Sequence, residues 1–397
     1  MNKRFLLFVC ALFVLMICSF VDSSGAGRSY DSPSPNLDLG RTTGDCSIGP
    51  DLSGSVHQSD EKPIWEWPRS TPAEQGLDGA RLSGLVELIR ADERYPRLHS
   101  LLIVRNGRLV LEEYFGRGSA DNIHTLQSVS KSFTSALVGI AIARGDLKGV
   151  DEKLLDFFPD KSGIENLDDR KKAITLQDLL TMRSGTDYHE SGSNSPHHQL
   201  NRRSTGWDTF YLNRPMSTQP GTHFLYDSGA VIVTSKLIEI RTGKHADVYA
   251  AEFLFPPLDI RKSFWYKNEE GHPHTGGGLN LRSQDMAKLG QLYLQLGKWE
   301  GKQIIPADWV RESIKKRVDL AGRQHVIGYG YWWWIMEPDP DGAGRENIYA
   351  AMGFRAQYIF VIPEHNMVVV VTGDTRSGRD QRQPILFLYT HILPAVH

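Results

Sequence analysis

Cysteine is nearly missing. The 397-residue chain has three, and two of them, Cys10 and Cys18, fall in the first twenty residues. Only Cys46 remains further on, in a polar stretch, so no disulfide framework holds the fold and the core must be large enough by itself. An excess of positive charge is missing too. The formal net charge is −2, which leaves no electrostatic footprint for nucleic acid. No Gly-x-Ser-x-Gly occurs, which disfavours a nucleophile elbow of the α/β-hydrolase kind. No phosphate-cradling glycine loop and no internal repeat occur either. His189-Glu190 lacks the second histidine of a metalloprotease helix, and His197-His198 has no further ligand at helical spacing, so no metal or other cofactor is expected.

Long apolar runs are scarce, with one exception at the start. Lys3 and Arg4 precede an apolar run from Phe5 to Val21 that only Ser19 interrupts, and small residues follow at Ser23 to Ala26. This reads as an export signal over 1–26. An uncleaved segment would instead tether the protein to a membrane, since the run is at the short limit for a span. The bulky Ile17 argues against lipid attachment at Cys18. Residues 27–62, rich in Ser, Gly, Asp and Pro, read as a flexible linker.

The rest is globular in composition, 40% hydrophobic and 23% charged. Leu77 to Asp92 predicts a helix. Ser100 to Glu112 predicts a hairpin turning at Asn106-Gly107. Short helical patterns dominate from Val150 to Ile260, with a long polar loop from Tyr188 to Thr209. Amphipathic helices follow over Ser283 to Leu296, with Ser283 as its N-cap, and over Ala307 to Lys316. Strand patterns cover Gly328–Met336, Ile348–Met352, Gln357–Ile362 and Met367–Thr372, and a last helix covers Pro384 to Leu393. This order predicts an α+β fold. One antiparallel sheet joins the early hairpin to the late strands, flanked by helices. The sheet domain takes 63–149 and 275–397, and 150–274 is a helical insertion.

The chemistry gathers at Ser128-Val129-Ser130-Lys131, which opens an apolar helical run from Ser132 to Ala141. Residues three apart share a helix face, so the serine hydroxyl and lysine amine come within hydrogen-bond reach. A serine needs a base, and a lysine serves when burial lowers its pKa. Ser-x-x-Lys also occurs at Ser59 and Ser313, but in polar surroundings that cannot desolvate the amine. A second proton carrier is expected from a Tyr-x-Ser or Tyr-x-Asn element. Copies begin at Tyr30, Tyr211, Tyr226 and Tyr266. Spacing does not choose among the last three, whereas Pro220-Gly221 before Tyr226 and Gly229-Ala230 after it give that copy a turn-to-helix setting.

These segments resemble the serine β-lactamase-like superfamily, and within it the branch of family VIII-type carboxylesterases and 6-aminohexanoate-dimer hydrolases. The resemblance rests on Gln127 to Ser132, Ile174 to Gly185, Pro220 to Gly229, Gly276 to Leu279 and Met352 to Pro363, and runs from Ala73 to the C-terminus. It implies that Ser128 is acylated, Lys131 is its base and Tyr226 shuttles the proton. It implies an oxyanion hole from the backbone N–H groups of Ser128 and Phe354. Ser228 falls where an asparagine is usual. The third motif, Lys-Thr-Gly on an edge strand, falls on Ala351-Met352-Gly353; His274-Thr275-Gly276 is closer by letters but runs into a glycine triplet. Ala351 lacks the cation that binds a substrate carboxylate, unless Arg355 supplies one. The resemblance therefore implies a hydrolase of small esters or amides, which the N-terminal run would export; a β-lactamase or D-Ala-D-Ala peptidase is the rival in chemistry, and a binding protein that kept the fold the rival from another class. In Tyr331-Trp332-Trp333-Trp334, strand alternation puts Trp332 and Trp334 on one face. Core packing accounts for such a run, with Trp332 as a candidate for the wall of the substrate pocket.

Overall fold

The computed structural model describes residues 65–91, 97–159, 162–342, 346–375, 377–378 and 380–397. The expected signal, the linker, Cys46 and Tyr30 lie outside these residues. Among the described residues no helix is long and apolar enough to cross a membrane.

Eight strands make one antiparallel sheet: β1 (Leu98–Arg105), β2 (Arg108–Tyr114), β3 (Val318–Arg323), β4 (Val326–Tyr329), β5 (Trp334–Met336), β6 (Ile348–Gly353), β7 (Gln357–Ile362) and β8 (Met367–Gly373). Their order is β2-β1-β8-β7-β6-β5-β4-β3. The predicted joining of hairpin and late strands is the β1–β8 pair, in register from Ser100↔Thr372 to Arg105↔Met367. Asn106 and Gly107 both have positive φ, 53° and 72°, as a two-residue hairpin that follows strand twist demands.

Both faces of the sheet are covered. Along β1, Leu102 and Val104 enter one apolar cluster while Leu101 and Ile103 enter the other, the period of two expected of a strand. One cluster is closed by α1 (Gly79–Ala91) and by the C-terminal turns from Gln383 to Ala395. The other holds α2 (Ser130–Arg144), α3 (Leu176–Leu180), α4 (Ser228–Thr242), α5 (Ala246–Phe253) and α6 (Ser283–Leu294). Among the described residues every element between Leu154 and Phe253 is helical, and those from Trp65 onward pack as one unit. All residues from Ser130 to Ala141 are buried, so α2 is an internal helix up to its last turn, apolar on all sides from Ala136 to Ala141 and polar in its first turns.

Three local expectations need correction. Tyr188 to Thr209 is not one loop: Ser195 caps a helix over Pro196–Asn201, and another begins at Trp207. Ser283 is not the N-cap of α6; it is the first helical residue, and its hydroxyl pairs with Ser100 Oγ at 2.7 Å. Gly328 to Met336 is not one strand. It breaks between β4 and β5, where Trp332 has φ of 60°, a conformation that strands exclude.

Candidate active site

Ser128 sits in the tight turn Gln127–Val129 that leads directly into α2. The turn is pinned from below. Ser130 Oγ donates to Gln127 O at 2.7 Å and accepts from Leu279 N–H at 3.2 Å. One helical turn on, Lys131 is 1% exposed. Its Nζ lies 2.8 Å from Ser128 Oγ and donates to Gly276 O at 2.6 Å. Burial lowers the Lys131 pKa to about 8, against the opposing pull of the Glu190 and Asp227 carboxylates. A substantial fraction of the amine is therefore neutral near physiological pH, and a neutral amine can accept the serine proton.

Tyr226 lies just before α4. Lys131 Nζ is 4.9 Å from the centre of its ring, and Ser128 and Tyr226 line one cleft of about 500 Å³. The other tyrosines are elsewhere. Tyr211 is buried and donates to Asp227 Oδ2 at 2.8 Å; Tyr266 is exposed and does not line the cleft. Asp227, next to Tyr226, caps α4 by accepting from Ala230 N–H at 2.9 Å. Burial raises its pKa to about 7, opposed by hydrogen bonds from Ala230 N–H and the Tyr211 hydroxyl.

The third-motif segment ends β6. Beside it β5 stops at the Trp334↔Ala350 pair, so Ala351 to Gly353 run past its end as a local edge while β7 pairs on the other side. A Cβ on Gly353 would lie 2.5 Å from Leu126 O. Glycine is therefore what lets this strand end approach the backbone just before Ser128. Met352, Gly353 and Phe354 line the cleft.

Three residues expected at the substrate site do not line the cleft, and a fourth, Ser228, meets it only through Glu190. Ala351 is 1% exposed within the core and does not line the cleft. Arg355 donates to Asp374 Oδ1 at 2.9 Å and also lies outside the lining. The Ser228 hydroxyl is buried and committed to Glu190. Trp332 is a brace: its backbone N–H donates to Leu180 O and its Nε1 to Leu179 O. It thereby satisfies carbonyls that the C-terminus of α3 leaves open. Trp334 takes the wall position instead and stacks on Tyr226, with centroids 5.6 Å apart and planes at 20°. The other motif matches are structural. Thr175 and Asp178 each accept the other's backbone N–H on a side-chain oxygen, the capping box of α3. His274-Thr275-Gly276 forms no strand, but its Gly276 carbonyl steadies Lys131.

Of the lining residues with no catalytic or binding role expected from the sequence, Glu190 is the one bonded to Ser228. It lines the cleft, and its Oε1 accepts from Ser228 N–H at 2.9 Å and Ser228 Oγ at 2.5 Å. It arrives by tertiary folding from a segment with no motif. The rest of the cleft comes from Gly322, Gln324, Val326, Tyr358, Gly378, Gln381, Arg382 and Ile385, so aromatic, apolar and amide-bearing walls carry one acidic residue, Glu190, and one basic residue, Arg382.

The Beta-lactamase family profile matches residues 89–386. The 6-aminohexanoate-dimer hydrolase of Paenarthrobacter ureafaciens is 26% identical over 325 residues, covering 74% of this chain and 78% of that protein. Among solved structures, EstCE1, a hydrolase with promiscuous acyltransferase activity, superposes with a TM-score of 0.66 at 18% identity, covering 82% of this chain and 99% of that one. The octameric penicillin-binding protein homologue from Pyrococcus abyssi has a TM-score of 0.59 at 21% identity, covering 79% of each chain. At these identities the structures speak for the fold.

Proposed function

This chain belongs to the beta-lactamase family and is a serine hydrolase, and from that premise we propose that it cleaves small esters or amides through an acyl-enzyme on Ser128. The observation that carries the reading is the buried Lys131 amine 2.8 Å from the Ser128 hydroxyl. Neutral Lys131 takes the hydroxyl proton as Ser128 Oγ attacks the carbonyl carbon. The oxyanion is held by the backbone N–H groups of Ser128 and Phe354, and removing such a donor typically costs 10²–10³-fold in turnover, roughly. Tyr226 returns a proton to the departing alcohol or amine. Water then enters and the same groups run in reverse to free the acid.

Two features disfavour a substrate carboxylate next to the serine, although Arg382 also lines the cleft. No lysine stands at Ala351, and Arg355 is engaged with Asp374. The wall also carries the Glu190 anion, which repels a second carboxylate close to the serine. The relative named as a 6-aminohexanoate-dimer hydrolase supports including amides. The Phe5 to Val21 run supports export, with the same run serving as a membrane tether if it is not removed.

The test is fluorophosphonate labelling with mapping of the labelled residue, followed by turnover of p-nitrophenyl butyrate, a 6-aminohexanoate amide and nitrocefin. Labelling at Ser128 with ester or amide turnover exceeding nitrocefin turnover is expected. Absence of labelling at Ser128 overturns the mechanism, and a preference for nitrocefin overturns the substrate class.

A further inference from the structure

Glu239, His245 and His272 meet outside the cleft. Glu239 is on the last turn of α4. Gly243, with φ of 70°, turns the chain, and His245 precedes α5. His272 arrives from the loop before the glycine triplet. Glu239 Oε2 lies 2.9 Å from His272 Nδ1 and 3.1 Å from His245 Nδ1, and the two Nδ1 atoms are 3.1 Å apart. All three side chains are partly buried.

Hydrogen bonds alone satisfy this triangle poorly. If both imidazoles donate to Oε2, two N–H groups crowd side by side onto one oxygen. If either Nδ1 is bare, one of its two contacts depends on a proton from the other ring, which Oε2 then loses. A central cation uses a lone pair from each atom at once. Ligands about 2.0–2.1 Å from a tetrahedral zinc stand about 3.3 Å apart, close to the three separations here.

We infer that Glu239, His245 and His272 form a binding site for a divalent zinc-like cation, with water in the fourth position. Two imidazoles and a carboxylate are a borderline donor set that suits zinc and cobalt and disfavours magnesium and calcium. Lys236 donates to Glu239 Oε1 at 2.6 Å. This leaves Oε2 to the ion and orients the carboxylate, as an outer partner does. Lys236 also lies 3.4 Å from His272 Nε2. Binding at Nδ1 requires the single ring proton of neutral His272 to sit on Nε2, where Glu270 Oε2 is 3.9 Å away, so the ring changes tautomer and releases no proton. The ion would fasten α4, α5 and the His272 loop together. Four residues on, that loop supplies the Gly276 carbonyl that steadies Lys131. This inference is independent of the hydrolase reading.

The test uses the whole purified protein, stripped with a chelator and titrated with Co²⁺ and then Zn²⁺. One Co²⁺ per chain is expected, with the visible bands of a tetrahedral complex and displacement by Zn²⁺. Zn²⁺ at 100 times its Kd should raise Tm by about 4 °C for a folded unit of this size. His245→Ala and His272→Ala should each lose affinity at least about 10-fold. Glu239→Gln, which keeps the shape, should do the same and guards against a misfolded variant. No stoichiometric binding overturns the inference, and so does unchanged affinity in these variants.

Discussion

Lys131 on α2 and Lys288 on α6 are 1% and 2% exposed, yet their surroundings differ in kind. Lys288 Nζ meets Asp285 Oδ1 at 2.9 Å and donates to Asp259 O at 3.0 Å, and Arg282 closes on the same aspartate at 2.8 Å. Its charge is matched where it is buried. Among the described residues Lys131 has no ion pair; its partners are a hydroxyl and a carbonyl. A buried amine without a counter-charge gives up its proton more easily, whereas one held by a carboxylate keeps it. The difference teaches where to look for a base: a buried lysine beside a hydroxyl, with the nearest carboxylates held one shell away.

The sharpest way to break this comparison is to delete each amine's function separately. Lys131→Met removes the base and leaves an apolar chain of similar length. We expect kcat/KM for a p-nitrophenyl ester to fall by about 10³-fold or more, because serine and base act as a unit. Tm should hold or rise, since no counter-charge is stranded. Near wild-type activity would make Lys131 structural.

Asp285→Asn tests the other lysine. It takes away the carboxylate in contact with buried Lys288, a loss that typically costs about 3–5 kcal/mol. For a folded unit of this size that is about 4–7 °C in Tm. Well below the new Tm, kcat should be unchanged. If Asp285→Asn leaves Tm alone, the two lysines are less different than their partners imply.

The same contrast marks what the sequence discloses. Ser128 and Lys131 were legible as a pair because a spacing of three across the turn that leads into α2 leaves little to tertiary folding. The sheet was legible from strand periodicity and the Asn106-Gly107 turn. Glu190 was not, because nothing local distinguishes a glutamate that folding carries to a cleft. Trp332 misled because alternation assumes an unbroken strand. Its positive φ breaks the strand and sends the ring to the end of α3, leaving the cleft to Trp334. Ser283 misled because a serine at a helix start serves equally well as a buried partner, here for Ser100.

Proton affinity gives a finer test. With Lys131 at about 8, the amine is mostly charged below that pH and neutral above it. Base-dependent kcat/KM should therefore rise with pH through about 8 and then level off. Glu190 favours the charged amine. Glu190→Gln should move the rising limb to lower pH, by less than about one unit for a charge at this remove. Movement to higher pH would show that Glu190 acts on Lys131 through something other than its charge.

The smallest expected effect lies on the aromatic wall, where the unpaired amine meets Tyr226. The Lys131 ammonium stands 4.9 Å from the Tyr226 ring centre, and Trp334 stacks on that ring. Trp334 thus fixes the ring by stacking on its face. Trp334→Ala takes away stacking worth about 0.5–1.5 kcal/mol, and with it apolar wall for the substrate. Lost ring order should appear in kcat for all esters alike, at about 2- to 10-fold. Lost wall should appear in KM and grow with the size of the acyl group. Measuring kcat and KM for acetyl, butyryl and benzoyl p-nitrophenyl esters separates the two. Trp334→Phe should restore kcat while leaving part of the KM defect. A loss beyond about 100-fold for the acetyl ester would instead place Trp334 in the reaction itself, and the division between proton machinery and wall would fail at this residue.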